Sequence, residues 1–199
     1  MMIDINEYGK WHPPVYIISG EQGEGKTRFL MEILPDLMKH GIRMRGIVAP
    51  GYFQEGIRSG FSIIDVATGM SEDLSSGIPS PGCEQHGRFY FRTEGLSFGY
   101  KALLNRQLPD ETDLLLIDEV GKFEMMGQVW SDSIDRLIMM PYPPMVWTVR
   151  RNLVEMVINR WQITRPVVVE LSSVSHEALI DEILKEVWIF RSHGKRVSS

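Results

Sequence analysis

Cysteine is nearly missing from this chain: Cys83 is the only one in 199 residues. One thiol cannot close an intrachain disulfide or build a cysteine-based zinc site, and its scarcity points to a reducing compartment. Cys83 follows Ser80-Pro81-Gly82, a loop-like run without a His or Asn partner nearby, so it is not read as a nucleophile. An excess of positive charge is also lacking. Lys and Arg number 21 against 26 Asp and Glu, giving a net charge of −5. Nucleic-acid binding through a globally basic surface is therefore not the expected function. The five histidines, at 12, 40, 86, 176 and 193, are scattered with no metal-ligand spacing. Apolar runs such as Leu114–Ile117 and Val167–Val169 fall far short of the ~20 residues a membrane span requires. The first residues, MMIDINEYGKWHPP, carry Asp4 and Glu7 and lack the apolar core of a signal peptide. The expectation is a cytoplasmic protein with no membrane association, and which protein it partners, if any, is unknown from the sequence.

What is present reads as one α/β domain over residues 1–199, since the length suits a single core of ordinary size. Val15–Ile18 is a short β-rich apolar run. After it, apolar residues at 29, 30, 33, 34, 37 and 38 recur with helical spacing, and Pro35 is expected to end or kink that helix. A strand is read over 45–50, a glycine-punctuated turn over 51–60, and an alternating strand over 61–66. Residues 70–83 are polar, rich in Ser, Gly and Pro, and read as a loop. Further strands are read at 88–91, 114–119, 145–149 and 167–171. Helices are read at 94–108, 131–140, 153–161 and from a Ser175 cap to about Phe190. The tail from Ser192 reads as frayed. Alternating strands and helices predict a mainly parallel sheet covered on both faces, with an antiparallel insertion at about 46–91.

Four stretches carry chemistry. GEQGEGKT, residues 20–27, has the pattern G-x-x-x-x-G-K-T between a strand and a helix. In that setting the backbone amides of Gly20, Glu21, Gln22, Gly23, Glu24, Gly25, Lys26, Thr27 and Arg28 form a phosphate cradle at a helix N-terminus. Lys26 would reach the β- and γ-phosphates and Thr27 would ligate Mg²⁺. The side chains of Glu21, Gln22 and Glu24 have no assigned task, and their carboxylates are expected to point to solvent. In LLLIDE, Asp118 ends an apolar strand where it can stand beside Mg²⁺, and Glu119 is placed to orient or deprotonate a water. Lys122 and Glu124, in the GKFE loop that follows, could meet phosphate or pair with each other. Thr148, at the end of its strand, could sense a γ-phosphate. Arg150 could stabilise charge in the transition state, with Arg58 as its rival.

Together, GEQGEGKT, GIVAPGYF…RSGFSIIDVATG and DLLLIDEVGKFEM resemble the small P-loop nucleoside-triphosphatases, a family with thermophilic bacterial and human cancer-related members. The resemblance spans residues 15 to 171. It implies a RecA-like α/β sheet with an antiparallel insertion. The implied activity is slow, Mg²⁺-dependent hydrolysis of ATP, GTP and other nucleoside triphosphates to diphosphate and phosphate. By matching positions it puts Lys26 and Thr27 on phosphate and magnesium, Asp118 on magnesium and Glu119 on water, and aligns Arg58 with the family's arginine ahead of Gly-Phe. The chain departs from the pattern at Phe123, where the family usually has Met, at Met125-Met126, and in a short stretch between Tyr52 and Gly60. Two other readings stay open at this point: a P-loop kinase acting on a nucleotide or other small molecule, and a nucleotide-dependent switch or interaction module.

Overall fold

The computed structural model describes residues 12–104 and 112–194. The extreme N-terminus, the end of the helix read at 94–108 and the last tail residues lie outside them. The first strand, β1 (Val15–Gly20), is buried along its whole length. Its alternate residues divide between two apolar clusters: Val15 and Ile17 face one, Tyr16 and Ile18 the other. A continuous apolar run is what a strand covered on both faces needs. β8 (Leu114–Val120) and β9 (Met145–Arg150) follow the same rule.

With β2 (Met44–Val48) and β10 (Pro166–Glu170), these strands form the parallel half of the sheet, in the order β10-β1-β9-β8-β2. Helices α1 (Lys26–Lys39) and α6 (His176–Gly194) cover one face. There Leu30, Ile33 and Leu37 meet Leu179, Ile183 and Val187. The other face is covered by α2 (Thr93–Leu104), α4 (Ser131–Ile138) and α5 (Val154–Arg160). Helix α1 continues through Pro35 to Lys39, so it does not end at the proline, the first of the two outcomes expected there. Proline removes one amide donor, but Ile33 and Leu37, both fully buried, hold the helix against the sheet on either side of it.

At β2 the sheet changes character. β2 pairs in parallel with β8 and antiparallel with β4 (Ile57–Asp65). Beyond β4 follow β5 (Ser71–Ser76), β7 (Phe89–Arg92) and β6 (Cys83–His86), while β3 (Gly51–Gln54) pairs with β4 off the main path. The antiparallel segment therefore runs from 51 to 92, and the strand read at 45–50 belongs to the parallel half. The turn read over 51–60 is a hairpin closed by Glu55 and Gly56, both at positive φ (51° and 77°), which suits the twist of the flanking strands. The loop read over 70–83 contains β5 and opens into β6. Only Leu74 in SEDLSS is apolar, and it is buried, so β5 forms by pairing with β4 and β7 rather than by hydrophobic pattern. A single sheet of ten strands results among the described residues. None of the described helices is long and apolar enough to cross a membrane.

Candidate nucleotide site

The site lies at the carboxyl ends of the parallel strands, the usual place for ligands in open α/β sheets. β1 ends at Gly20 and α1 begins at Lys26, so the cradle motif fills the turn between them. Gly23 and Gly25 take φ of 81° and 103°, and a Cβ at either would meet open space. These glycines are required by backbone conformation rather than by crowding. Lys26 is buried, and its Nζ donates to the carbonyls of Gly20 (2.9 Å) and Glu21 (2.7 Å). The ammonium is thus folded over the loop that its own backbone helps to form. Burial lowers its pKa, with Arg150 acting in the same direction and Glu119, Asp118 and Glu24 opposing. Thr27 follows in the first turn of α1. The Arg28 side chain points out and pairs with Glu32 at 2.8 Å, so any part Arg28 has in the cradle is its amide.

The acids of the loop do not both point to water. Glu21 pairs with Arg151 (3.0 Å) and is largely exposed, but Glu24 turns back, and its Oε2 accepts from the Glu21 amide at 2.5 Å. Arg151 also reaches Glu170 (3.1 Å) and lies 3.9 Å from Glu24. It ties the cradle to β10. This correction has a plain electrostatic cause: two carboxylates beside an anion site are tolerated when a guanidinium sits between them.

Asp118 is fully buried and held from both neighbouring strands. Its Oδ2 accepts from the Ala49 amide (3.0 Å), and its Oδ1 accepts from the Thr148 hydroxyl and the Glu119 amide (3.0 Å). A carboxylate has about four acceptor positions, so three partners leave room for one more. Thr148, read as a γ-phosphate sensor, is instead buried between the two acids. Its Oγ1 accepts from the Glu119 amide (2.8 Å) while its hydroxyl donates to Asp118.

Glu119 occupies the left-handed region at φ 58°. It is the extra residue of a bulge. Pairing with β9 runs Ile117↔Trp147 and then Val120↔Val149, three steps on β8 against two on β9. Bulges of this kind re-aim a side chain next to active sites. The aim here is toward cations: the Glu119 carboxylate lies 3.6 Å from the Arg58 guanidinium. Burial and Asp118 push its pKa up, while Arg58, Lys26 and Arg150 pull it down. The structure thus brings Lys26, Asp118, Glu119, Arg58 and Arg150 into one electrostatic cluster, with Arg150 at the end of β9 opposite Gly20.

The loop after the acids behaves differently from its sequence reading. Lys122 is exposed and Glu124 is 2% exposed, so they do not pair. Glu124 Oε2 accepts from the Gly121 amide (2.8 Å) at the start of the short helix α3 (Lys122–Met125). Burial raises its pKa to about 7. Nothing in GKFE marks Glu124 as the buried member; the one available sign is its spacing of three from Gly121, which suits a helix-start carboxylate. Sequence reasoning also missed the Ala49 amide and the reach of Arg151, contacts made across strands far apart in the chain.

A mixed sheet with a parallel half, a glycine-turned cradle after its first strand and an acid pair ending a nearby strand together define the P-loop NTPase fold. A family model described as NTPase matches residues 15–184, and the chain belongs to that family. Among curated relatives it is similar to nucleoside-triphosphatase THEP1 of Methanopyrus kandleri, 26% identical over 88% of this chain and 96% of that one. The Pyrococcus abyssi THEP1 is 28% identical over 70% and 76%. The Korarchaeum cryptofilum THEP1 is 31% identical over a stretch that spans 57% of each chain. Two solved structures share the fold: a human cancer-related nucleoside triphosphatase (TM-score 0.64, 21% identity, 87% of this chain and 96% of that one) and THEP1 from Aquifex aeolicus (TM-score 0.61, 22% identity, 86% and 97%).

Proposed function

We propose that the protein is a Mg²⁺-dependent nucleoside-triphosphatase that hydrolyses several nucleoside triphosphates to diphosphate and phosphate, slowly and with little choice of base. The observation that carries this reading is the placement of Glu119. A carboxylate re-aimed by a bulge toward Lys26, Arg150 and Arg58 is a base set among the cations that would surround a γ-phosphate.

In this reading the cradle amides and Lys26 hold the phosphates. Arg58 and Arg150 offset the charge that develops on the transferring group, and Glu119 orients the attacking water and takes its proton. Its raised proton affinity, caused by burial and by Asp118, suits a group that takes a proton. Thr27 and Asp118 fit a hard cation: both offer oxygen, and Asp118 keeps an acceptor position free of donors from the described residues. When bound, Mg²⁺ supplies charge neutralisation between the phosphates. Asp118 also receives the Thr148 hydroxyl, which in turn accepts the Glu119 amide, so one network fixes the metal acid and the base together. The single free cysteine fits a reducing compartment, and we place the protein in the cytoplasm.

The test is phosphate release from ATP, GTP, CTP and UTP with Mg²⁺, for the wild type and Glu119→Gln. Wild-type turnover on all four, and a Glu119→Gln rate lower by about 10²–10⁴-fold with nucleotide affinity kept, is the expected result. Equal rates would remove Glu119 from the base role. Transfer to an added acceptor hydroxyl in place of water would favour a kinase.

A further inference from the structure

A second pocket is lined by Arg58 but by no residue of the cradle and by neither Asp118 nor Glu119. It is a depression open to solvent, of about 400 Å³, a volume within the range of small-molecule sites. Arg58, Arg88, Tyr52, Ser59 and Ser76 are among its lining residues, and no Asp or Glu is. That is a local excess of positive charge on a chain whose net charge is −5.

Both arginines are held with their charge largely unspent. Arg88 stacks over Phe89 (4.8 Å to the ring centre) and donates to the Arg58 carbonyl at 3.3 Å, and it makes no ion pair among the described residues. Arg58 lies between Phe53 (5.3 Å) and Phe61 (5.0 Å). Its path along the strand depends on Gly51, where a Cβ would come within 2.7 Å of the Arg58 Nε. Among the described residues the one carboxylate it meets is Glu119, at 3.6 Å, a loose pair beside the 2.6–3.0 Å of the Arg165–Glu186 and Arg160–Asp135 bridges. Stacked guanidiniums, one without a carboxylate partner and one only loosely paired, suit phosphate recognition, because the flat fork meets phosphate oxygens in pairs. The ring faces leave the arginines pre-aimed, so little side-chain freedom is lost on binding.

We propose that this cavity is a second ligand site, which takes a small phosphate-bearing anion through Arg88 and Arg58 and so draws Arg58 away from Glu119. Two sources carry this chemistry: free phosphate, which the reaction itself releases, and a nucleoside monophosphate. In either case occupancy slows hydrolysis. The guanidinium that faces the base is then shared with a second anion, and linkage requires the two engagements of Arg58 to oppose each other. The effect on turnover rests on the roles proposed above for Arg58 and Glu119; the binding does not.

Inorganic phosphate and AMP are each titrated calorimetrically into the Lys26→Ala protein, whose cradle is disabled, and into Lys26→Ala/Arg88→Gln. If Lys26→Ala does not melt like the wild type, the wild type filled with Mg²⁺ and a nonhydrolysable ATP analogue takes its place. Saturable binding of at least one probe is expected, about tenfold or more weaker once Arg88 is lost, the scale of a charged hydrogen bond. Phosphate binding assigns free phosphate, binding of AMP alone assigns a nucleotide, and binding of both assigns the shared group. In turnover assays the bound anion is expected to lower kcat at saturating ATP. Arg88→Gln is expected to remove that inhibition and leave the anion-free rate unchanged. Absence of binding by both probes, binding indifferent to Arg88→Gln, or inhibition purely competitive with ATP overturns the site. A protein that binds the anion but hydrolyses no triphosphate would instead sink the proposed function and leave this site standing.

Discussion

The two halves of the sheet are built on different principles. β1, β8 and β9 in the parallel half are almost wholly buried, and their backbone ends are pinned by contacts such as Ala49 and Thr148 on Asp118. In the antiparallel half β3 and β6 are largely exposed, and β5 buries two of its six residues. The parallel half holds the cradle and the acid pair. The antiparallel half meets that site through Arg58 on Glu119 and through Phe123, whose ring lies 5.6 Å from His86 and 5.8 Å from Phe91. The difference teaches a division of labour: the groups proposed to bind nucleotide stand in the half that cannot move without losing its core, and the Arg58 contact comes from the half with less to lose.

The sharpest way to break this division is Lys26→Ala. It removes the cation at the centre of the rigid half, and nucleotide affinity is expected to fall more than about hundredfold, measured by calorimetry with a nonhydrolysable analogue. If affinity holds, the binding function is not confined to the cradle. Arg58→Ala tests the other half. Affinity is expected to stay within about threefold while kcat drops by about 10²-fold, the scale of one lost charge-stabilising donor. A large loss of affinity with kcat intact would mean that the hairpin binds rather than catalyses.

The smallest effect concerns the joint between the halves. Folded Glu124 keeps its proton up to about pH 7, whereas the unfolded chain releases it near the ordinary 4.5. The stability contributed by that proton is full below about pH 4.5 and is lost as pH rises through 7, an amount on the order of 3 kcal/mol. Glu124→Gln keeps an acceptor for the Gly121 amide without the charge. It is expected to flatten the fall in Tm between pH 5 and 8 and to melt a few degrees above wild type at pH 8. Parallel wild-type and Glu124→Gln curves would show that burial of this carboxyl does not govern the slope.

The same contrast explains what could be read from the sequence. GEQGEGKT, LLLIDE and the helical spacing of α1 were legible because each is a local pattern with a local cause: backbone conformation, burial on both faces, one apolar stripe. β5 was not, because SEDLSS takes its strand form from its partners β4 and β7, and nothing in its own residues announces them. Continuation of α1 through Pro35 was hidden for a related reason, since burial of Ile33 and Leu37 overrides a local penalty. The acid pair itself was found, but its setting was not. The Ala49 amide and the Thr148 hydroxyl lie 69 and 30 residues away in the chain, and Arg151 reaches Glu21 across 130.

The extra residue in β8 has a consequence for how the gene can change. Losing one codon between Ile117 and Val120 would restore an even ladder with β9, so the sheet itself would tolerate the loss. The deletion would cost one of the two acids, or turn the survivor to the other face. A change of length in the hairpin turn at Glu55-Gly56 would leave the acid pair in place, whereas a change between Leu114 and Gly121 would move it, so the count of residues there is set by the chemistry and not by the ladder.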